Sequence, residues 1–142
     1  MKAIQLKKYG SSDVVEVKEI GVPSLSSGKI LVNIRVSGIN PVDWKIREGY
    51  MQQVIQLQFP STLGLDISGV IKQLGEDVPS VFKQGDEVYG QASVFTGGSG
   101  AFAELALANK DSIANKPKPL RQMINSTRIW SRSNNRLQER DF

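Results

Sequence analysis

Apolar and polar residues alternate along positions 29–36 of the chain. The apolar positions are Ile30, Val32, Ile34 and Val36. A two-residue period is typical of a half-buried β-strand, because successive strand side chains point to opposite faces. Gly38 follows and ends the alternation. The pattern therefore predicts a strand that stops directly before a polar segment.

A short helix is predicted after this strand, from Pro41 to about Arg47. Asn40 is suited to the N-cap, because the proline that follows favours an extended backbone at Asn40. Pro41 itself has the fixed φ and the missing N–H of a first helical position. Asp43 and Arg47 are four residues apart, so a helix places them on one face, where opposite charges attract. We expect an intrahelical ion pair there.

The rest of the chain also reads as short strands separated by turn residues. The further predicted strands are residues 1–6, 14–20, 65–74, 87–92, 101–108 and 112–116. Gly69 lies inside one of them, where a close backbone approach is the usual reason for a glycine. Several short strands with turn chemistry between them predict a small β-barrel, in a fold that is mainly β with short helices.

Composition excludes much catalytic chemistry. The 142 residues include neither cysteine nor histidine, which excludes disulfides, thiolate nucleophiles, Ser-His-Asp triads and every His/Cys zinc site. An apolar share of 39% and a charged share of 23% are typical of a globular domain. The sequence shows neither a signal peptide nor an apolar run near twenty residues, so we expect a cytoplasmic protein without a membrane partner.

The composition changes abruptly after position 120. Residues 1–120 hold thirteen Lys and Arg against twelve Asp and Glu, while residues 121–142 hold five arginines against two acids and neither glycine nor proline. We predict one domain over 1–120 and a basic tail over 121–142 that is disordered or derives from a shifted reading frame. A natural basic helix is the alternative. Five arginines without a groove-reading motif predict no specific nucleic-acid partner.

Four ordered motifs resemble the zinc-independent branch of the medium-chain dehydrogenase/reductase superfamily, the NADPH:quinone oxidoreductases and enone reductases. They are Gly38-Ile39-Asn40-Pro41-Val42-Asp43, residues 60–71, residues 85–90 and residues 100–104. The resemblance covers residues 1–120 and implies a GroES-like β-barrel, the N-terminal catalytic domain of these enzymes. In the family a Rossmann unit follows, and residues 121–142 do not match it. We therefore expect a truncated chain that is inactive alone.

The resemblance implies hydride transfer from NADPH to a quinone or an activated alkene. Zinc-dependent relatives place cysteine where Asn40 stands and histidine-glutamate where Leu65 and Asp66 stand, so we expect no zinc and no Lewis acid for alcohol oxidation. Reduction of a quinone or enone needs no metal, because hydrogen-bond donors can stabilise the charge that develops on a carbonyl oxygen. We expect NADPH to bind this chain only weakly, because the pyrophosphate site belongs to the Rossmann unit.

Three residues are candidates for the site, and no metal ligand is expected. By resemblance, Asn40 hydrogen-bonds the nicotinamide ribose or the substrate, and Lys45 faces the nicotinamide and its ribose. We assign both residues to catalysis and to cofactor binding, and Asp66 to the cofactor cleft. Each has a structural alternative: a simple N-cap for Asn40, a solvated helix lysine for Lys45, and backbone-amide bonds for Asp66.

Other functions stay open at this point. A non-enzymatic GroES-like scaffold, including a co-chaperonin-like ring, is one alternative. A zinc-free alcohol dehydrogenase-like protein that acts on another substrate class is a second. A homodimer is compatible with the enzyme interpretation, since family members often dimerise, whereas a seven-membered ring would favour the scaffold.

Overall fold

The computed structural model describes residues 1–54 and 56–117 of the chain. Within them, the strands are β1 (Lys2–Leu6), β2 (Val15–Glu19), β3 (Lys29–Ser37), β4 (Ser61–Thr62), β5 (Asp66–Leu74), β6 (Glu87–Gln91), β7 (Leu105–Asn109) and β8 (Ile113–Asn115). One α-helix, α1, spans Pro41–Glu48, and three single-turn 3-10 helices span Ser12–Val14, Val94–Thr96 and Lys110–Ser112. The tail predicted at 121–142 lies outside the described residues.

The strands form two antiparallel sheets. The smaller sheet has the order β2-β1-β4, and the larger has the order β7-β3-β5-β6-β8. The pairing of β3 with β5 runs from Ile30 opposite Leu74 to Ser37 opposite Ile67. A mainly β fold with little helix was predicted, and the described residues confirm it.

The main core lies against the five-stranded sheet. Ile30 and Val32 of β3 are fully buried and pack with Ile67 and Ile71 of β5. The alternation predicted for β3 is therefore confirmed on its core face. Leu31, on the opposite face, is also buried, so β3 is covered on both sides near its start rather than half-buried throughout.

Gly69 allows β3 and β5 to approach closely. A Cβ atom at this position would lie 2.3 Å from the carbonyl oxygen of Asn33 on β3, which no side chain tolerates. The close approach predicted from the sequence is confirmed. Just beyond it, Ile34 pairs with Gly69 and Val36 with Ser68, so β3 contains one extra residue, the arrangement of a β-bulge.

The strand predicted at 101–108 begins only at Leu105. The preceding residues bond backbones in different parts of the fold: the N–H groups of Ala101 and Phe102 donate to the carbonyl oxygens of Gly64 and Leu63, and the Phe102 carbonyl accepts the N–H of Ile4. Because these partners do not lie along one strand, no continuous ladder forms. This segment links the two sheets instead. The other strand boundaries lie within one or two residues of the predicted ones.

Candidate functional site

The strand-to-helix junction carries the residues that the sequence singled out. The helix α1 begins at Pro41, as predicted, and ends one residue later than predicted, at Glu48. Asn40 occupies the N-cap with an extended backbone at φ −119° and ψ 152°. The Asp43 carboxylate accepts the Asn40 backbone N–H at 2.6 Å, which is one half of a capping box. The other half places the Asn40 side-chain oxygen toward the Asp43 backbone N–H. Because that role uses the oxygen, the Asn40 amide nitrogen can serve another partner.

That partner is Asp66, the first residue of β5. The Nδ2 of Asn40 donates to the Oδ2 of Asp66 at 3.0 Å. Gln91, which lies directly opposite Asp66 on β6, donates its Nε2 to the other carboxylate oxygen at a longer 3.4 Å. Asp66 is only 1% exposed. A buried carboxylate thus receives an amide on each oxygen and joins α1, β5 and β6 at one point.

Backbone hydrogen bonds hold the junction against the start of β5. The Gly38 N–H donates to the carbonyl oxygen of Asp66 at 3.1 Å. The Ser37 hydroxyl donates to the carbonyl oxygen of Ala101 at 2.7 Å, with the Asp66 carbonyl oxygen also within reach at 3.1 Å. One backbone donor and one side-chain hydroxyl, both near Asn40 in sequence, therefore hold Asn40 close to Asp66.

Two buried carboxyl groups flank Asn40. Burial raises the pKa of Asp66, and the hydrogen bonds from Asn40 and Gln91 offset part of this rise. Burial also raises the pKa of Asp43, which the Asn40 N–H opposes and the negative charge of Asp66 reinforces. The second oxygen of Asp43, Oδ1, is buried without a hydrogen-bond partner in the described part of the chain. Asn40 thus donates a hydrogen bond to Asp43 through its backbone N–H and to Asp66 through its side chain.

A pocket of about 230 Å³ lies beside Asn40. It is lined by Ile4, Gln5, Leu6, Val15, Ile39, Asn40, Asp43, Trp44, Arg47, Leu63 and Phe102. Most of these side chains are apolar, so the pocket suits an apolar group with a few polar contacts at its edge. Gly64 has a φ of 93°, and a Cβ there would lie 2.6 Å from the Phe102 ring, so glycine lets this ring pack onto the backbone.

Lys45 lies outside the hydrogen-bonded group formed by Asn40 and Asp66. Its side chain is exposed, and its Nζ lies 5.8 Å from the ring centre of Trp44. Trp44 in turn meets Tyr50 edge to face, with ring centres 5.7 Å apart. Lys45 is therefore positioned by an aromatic neighbour at the surface of α1.

The predicted ion pair between Asp43 and Arg47 is wrong. The guanidinium of Arg47 donates from Nε to the carbonyl oxygen of Gly10 at 3.2 Å, and its Nη2 pairs with Glu48 at 2.8 Å. The Asp43 carboxylate instead accepts a hydrogen bond from the backbone N–H of Asn40 at the helix N-terminus. Helical spacing placed the two residues correctly, but each has a nearer partner that spacing does not show.

The geometry can be compared with known proteins. Residues 26–118 match the family described as the alcohol dehydrogenase GroES-like domain. The chain belongs to this family. Its GroES-like fold class is thereby confirmed.

Relatives of this GroES-like chain are quinone oxidoreductases. Over 118 residues it is 36% identical to the chloroplastic quinone-oxidoreductase homolog of Spinacia oleracea, which covers 82% of this chain and 35% of the relative. The quinone oxidoreductase of Coxiella burnetii has a similar structure, with a TM-score of 0.75 at 28% identity, covering 89% of this chain and 40% of that one. The predicted resemblance to the quinone oxidoreductase branch is confirmed.

A third comparison concerns the fold alone. The Escherichia coli quinone oxidoreductase complexed with NADPH superimposes with a TM-score of 0.77 at 24% identity, covering 89% of this chain and 36% of that one. This chain spans about a third of the length of the curated relatives it matches, 35% in the case of the spinach protein.

The structure brings two of the three candidate residues together and adds a third partner. Asn40 and Asp66 are in direct contact, and Lys45 lies apart from them on α1. Gln91 was missed, because only the register between β5 and β6 shows that it faces Asp66. The roles of these residues stay predictions.

The described residues contain neither a cluster of metal ligands nor a helix that could span a membrane. No group of three or more His, Cys, Asp or Glu side chains in residues 1–54 and 56–117 is arranged to hold a metal ion. In the same ranges no helix is long and apolar enough to cross a bilayer. The expectations of a zinc-free and cytoplasmic protein stay predictions.

Proposed function

We propose that this GroES-like chain provides the substrate-facing and nicotinamide-facing part of a zinc-independent, NADPH-dependent quinone or enone oxidoreductase. The observation that carries the proposal is the hydrogen bond between Asn40 and Asp66 beside an apolar pocket. The whole sequence lacks cysteine and histidine, so the polar groups available here include amides, carboxyl groups, Lys45 and the guanidinium of Arg47 in the pocket lining. Such a set orients a ligand and donates hydrogen bonds without the thiolate and imidazole ligands of a typical zinc site.

The residues of the chain fit this chemistry as binding and orienting groups. Bound NADPH would supply a hydride to the conjugated system of the substrate. The Asn40 amide, held by Asp66, would hydrogen-bond a ribose hydroxyl or a substrate carbonyl, and Lys45 would add positive charge where negative charge develops on oxygen. The apolar lining beside Asn40 would exclude water from an apolar ring.

The comparisons support the substrate and cofactor classes. The spinach relative is named a quinone-oxidoreductase homolog, and the Escherichia coli neighbour was crystallised with NADPH. We carry both statements over to this chain as proposals, because it spans only part of each of those proteins. The spinach relative is also named chloroplastic, so its name gives no support to the cytoplasmic location that we predict.

The 142-residue protein alone is expected to bind NADPH weakly and to show no turnover. Its glycine-rich segment Gly97-Gly98-Ser99-Gly100 leads into β7 and not into a helix, whereas a dinucleotide pyrophosphate binds at a helix N-terminus. Mixing the protein with NADPH and a simple quinone, and following the absorbance of the reduced nicotinamide, tests this expectation. Rapid turnover would contradict it.

A chimera gives the positive test. Residues 1–117 of this chain would replace the matching domain of the Coxiella burnetii quinone oxidoreductase, and we expect NADPH-dependent quinone reduction. Asn40→Ala should lower kcat/KM about 10- to 100-fold, the effect of losing one or two buried hydrogen bonds. The matched control is Asn115→Ala, which removes an exposed asparagine bonded to the Val81 carbonyl and should leave the rate unchanged. A folded but inactive chimera would refute the proposal.

A further inference from the structure

The Asn40 side chain has two chemically different ends. Its nitrogen carries two hydrogens and only donates, whereas its oxygen only accepts. Turning the amide by half a rotation exchanges the two ends and reverses what a ligand meets. A ligand that hydrogen-bonds to Asn40 with a defined donor or acceptor therefore needs the amide fixed in one of its two orientations.

Asp66 selects one orientation. An ionised carboxylate has only acceptors, so the 3.0 Å contact with its Oδ2 requires the nitrogen end of Asn40. The reversed amide would place two oxygens with lone pairs against each other. Because Asp66 is 1% exposed, water cannot readily take over the contact, and the reversed state would leave a buried acceptor unsatisfied.

Gln91 in turn fixes Asp66. It lies directly across the ladder from Asp66, on the neighbouring strand β6, where facing side chains share one side of the sheet. Its Nε2 occupies Oδ1 at 3.4 Å, which leaves Oδ2 for Asn40. Gln91 is half-buried and is the last residue of β6. Its backbone pairs with Asp66 on β5, and the three residues before it pair with β8 on the other side.

We propose that Gln91 and Asp66 are positioning residues that hold the Asn40 amide in one orientation, with its nitrogen toward β5. They act through Asn40 and need not touch the ligand themselves. The functional part of this inference rests on the proposed function, in which Asn40 contacts the nicotinamide ribose or the substrate. The orientation itself can be tested without any ligand.

The first measurement is nitrogen NMR of the side-chain amides in the full 142-residue protein, with the Asn40 signal identified by its loss in Asn40→Ser. We expect one Asn40 Nδ2 hydrogen to exchange with solvent about tenfold more slowly than those of exposed asparagines, as a single hydrogen bond allows. Asp66→Leu should abolish this protection. Asp66→Asn should restore it, because an amide oxygen still accepts from Asn40 while its nitrogen donates to a reversed Gln91.

Gln91→Leu is the second variant, and it decides the question if Asp66→Leu fails to fold. We expect it to weaken the protection of Asn40 about threefold, because Asp66 is then free to turn. Gln73→Leu is the matched control, the same substitution at an exposed position of β5, and it should change nothing. Protection of Asn40 that survives in folded Asp66→Leu would overturn the proposal, and if that variant does not fold, unchanged protection in Gln91→Leu would overturn it.

Titration with NADPH separates the positioning from the proposed function. NADPH at millimolar concentration should shift the Asn40 amide signals in the wild type and in Asp66→Asn but not in folded Asp66→Leu. If the exchange pattern is as expected and NADPH shifts no Asn40 signal in the wild type, the positioning is supported and the proposed function is refuted. If NADPH shifts the Asn40 signals equally in Asp66→Leu, the positioning role is refuted.

Discussion

The two apolar clusters of this protein differ in what lies beside them. The larger cluster, against the five-stranded sheet, includes fully buried Ile30, Val32 and Ile67. The smaller cluster joins β1, α1 and the segment after β4. Its buried members are Leu6, Val14, Ile46 and Leu63. Within residues 1–54 and 56–117, only the smaller cluster shares residues with the pocket, where the Leu6 and Leu63 side chains form part of the wall.

The larger cluster contributes mainly to stability, whereas the smaller cluster lies beside the candidate site. An apolar core gains free energy from burial and close packing, with no polar group to satisfy. Beside the smaller cluster, Asp43 is buried with one oxygen unpartnered, which opposes folding. A fold retains such a group more readily where a second region supplies the stability. We therefore expect the five-stranded sheet to tolerate mutation least and the α1 region to carry the functional sensitivity.

The largest expected effect is a cavity in the main core. Ile67→Ala, at a fully buried site, should lower the free energy of unfolding by about 2 to 5 kcal/mol. Ile46→Ala should fall at the lower end of the same range, because the pocket beside α1 lets its surroundings relax. Urea unfolding followed by circular dichroism measures both values.

The matched control for both variants is Ile39→Ala. Ile39 is 87% exposed, and its replacement should change stability by no more than about 0.5 kcal/mol. If Ile46→Ala proved more destabilising than Ile67→Ala, the ranking of the two clusters would be reversed.

A smaller effect concerns the pH dependence of stability. Burial raises the pKa values of Asp43 and Asp66 in the folded protein above the ordinary aspartate value of 3.8. Each group therefore holds its proton more tightly when folded, so its stabilising contribution is complete below the unfolded pKa and is lost as the pH rises through the folded pKa. The Asp43→Asn/Asp66→Asn double variant should lack this loss as the pH rises above the ordinary aspartate value of 3.8.

Comparing wild type and double variant over the same pH series isolates the contribution of Asp43 and Asp66 to the pH dependence of stability. The other acids are common to wild type and variant. They include exposed Asp13 and half-buried Glu16, whose pKa values are lowered by hydrogen bonds from Ser11 and Lys18 respectively. Urea midpoints at several pH values measure the difference, and Asp111→Asn, at an exposed site, is the control. Identical pH profiles for wild type and double variant would contradict the assignment of these two carboxyl groups as buried.

Local features of the site could be predicted from the sequence. The end of β3 and the start of α1 follow from alternation, Gly38 and the Asn40-Pro41 pair, all of which act within a few residues of one another. The N-cap position of Asn40 follows in the same way. Such features are readable because the physical cause lies next to its effect in the chain.

Contacts between distant strands could not be predicted. Gln91 meets Asp66 only because β5 and β6 pair in one particular register, and a slip of one residue would turn Gln91 to the other face. The same limit explains the error at residues 101–108. The first four of these residues bond the backbones of Gly64, Leu63, Ile4 and Lys2 rather than one neighbouring strand. No local sequence pattern shows that choice of partners.

The smallest effect on stability is expected at Lys45. This residue tests most directly whether the α1 region affects function without affecting stability. Lys45→Met removes an exposed charge 5.8 Å from the Trp44 ring and should change the free energy of unfolding by less than about 1 kcal/mol. In the quinone oxidoreductase chimera it should raise the KM for NADPH about three- to tenfold, if Lys45 faces the nicotinamide ribose. Lys8→Met, at another exposed lysine, should alter neither quantity. An unchanged KM in Lys45→Met would assign Lys45 to the solvated surface of α1 and leave Asn40 as the cofactor contact of this helix.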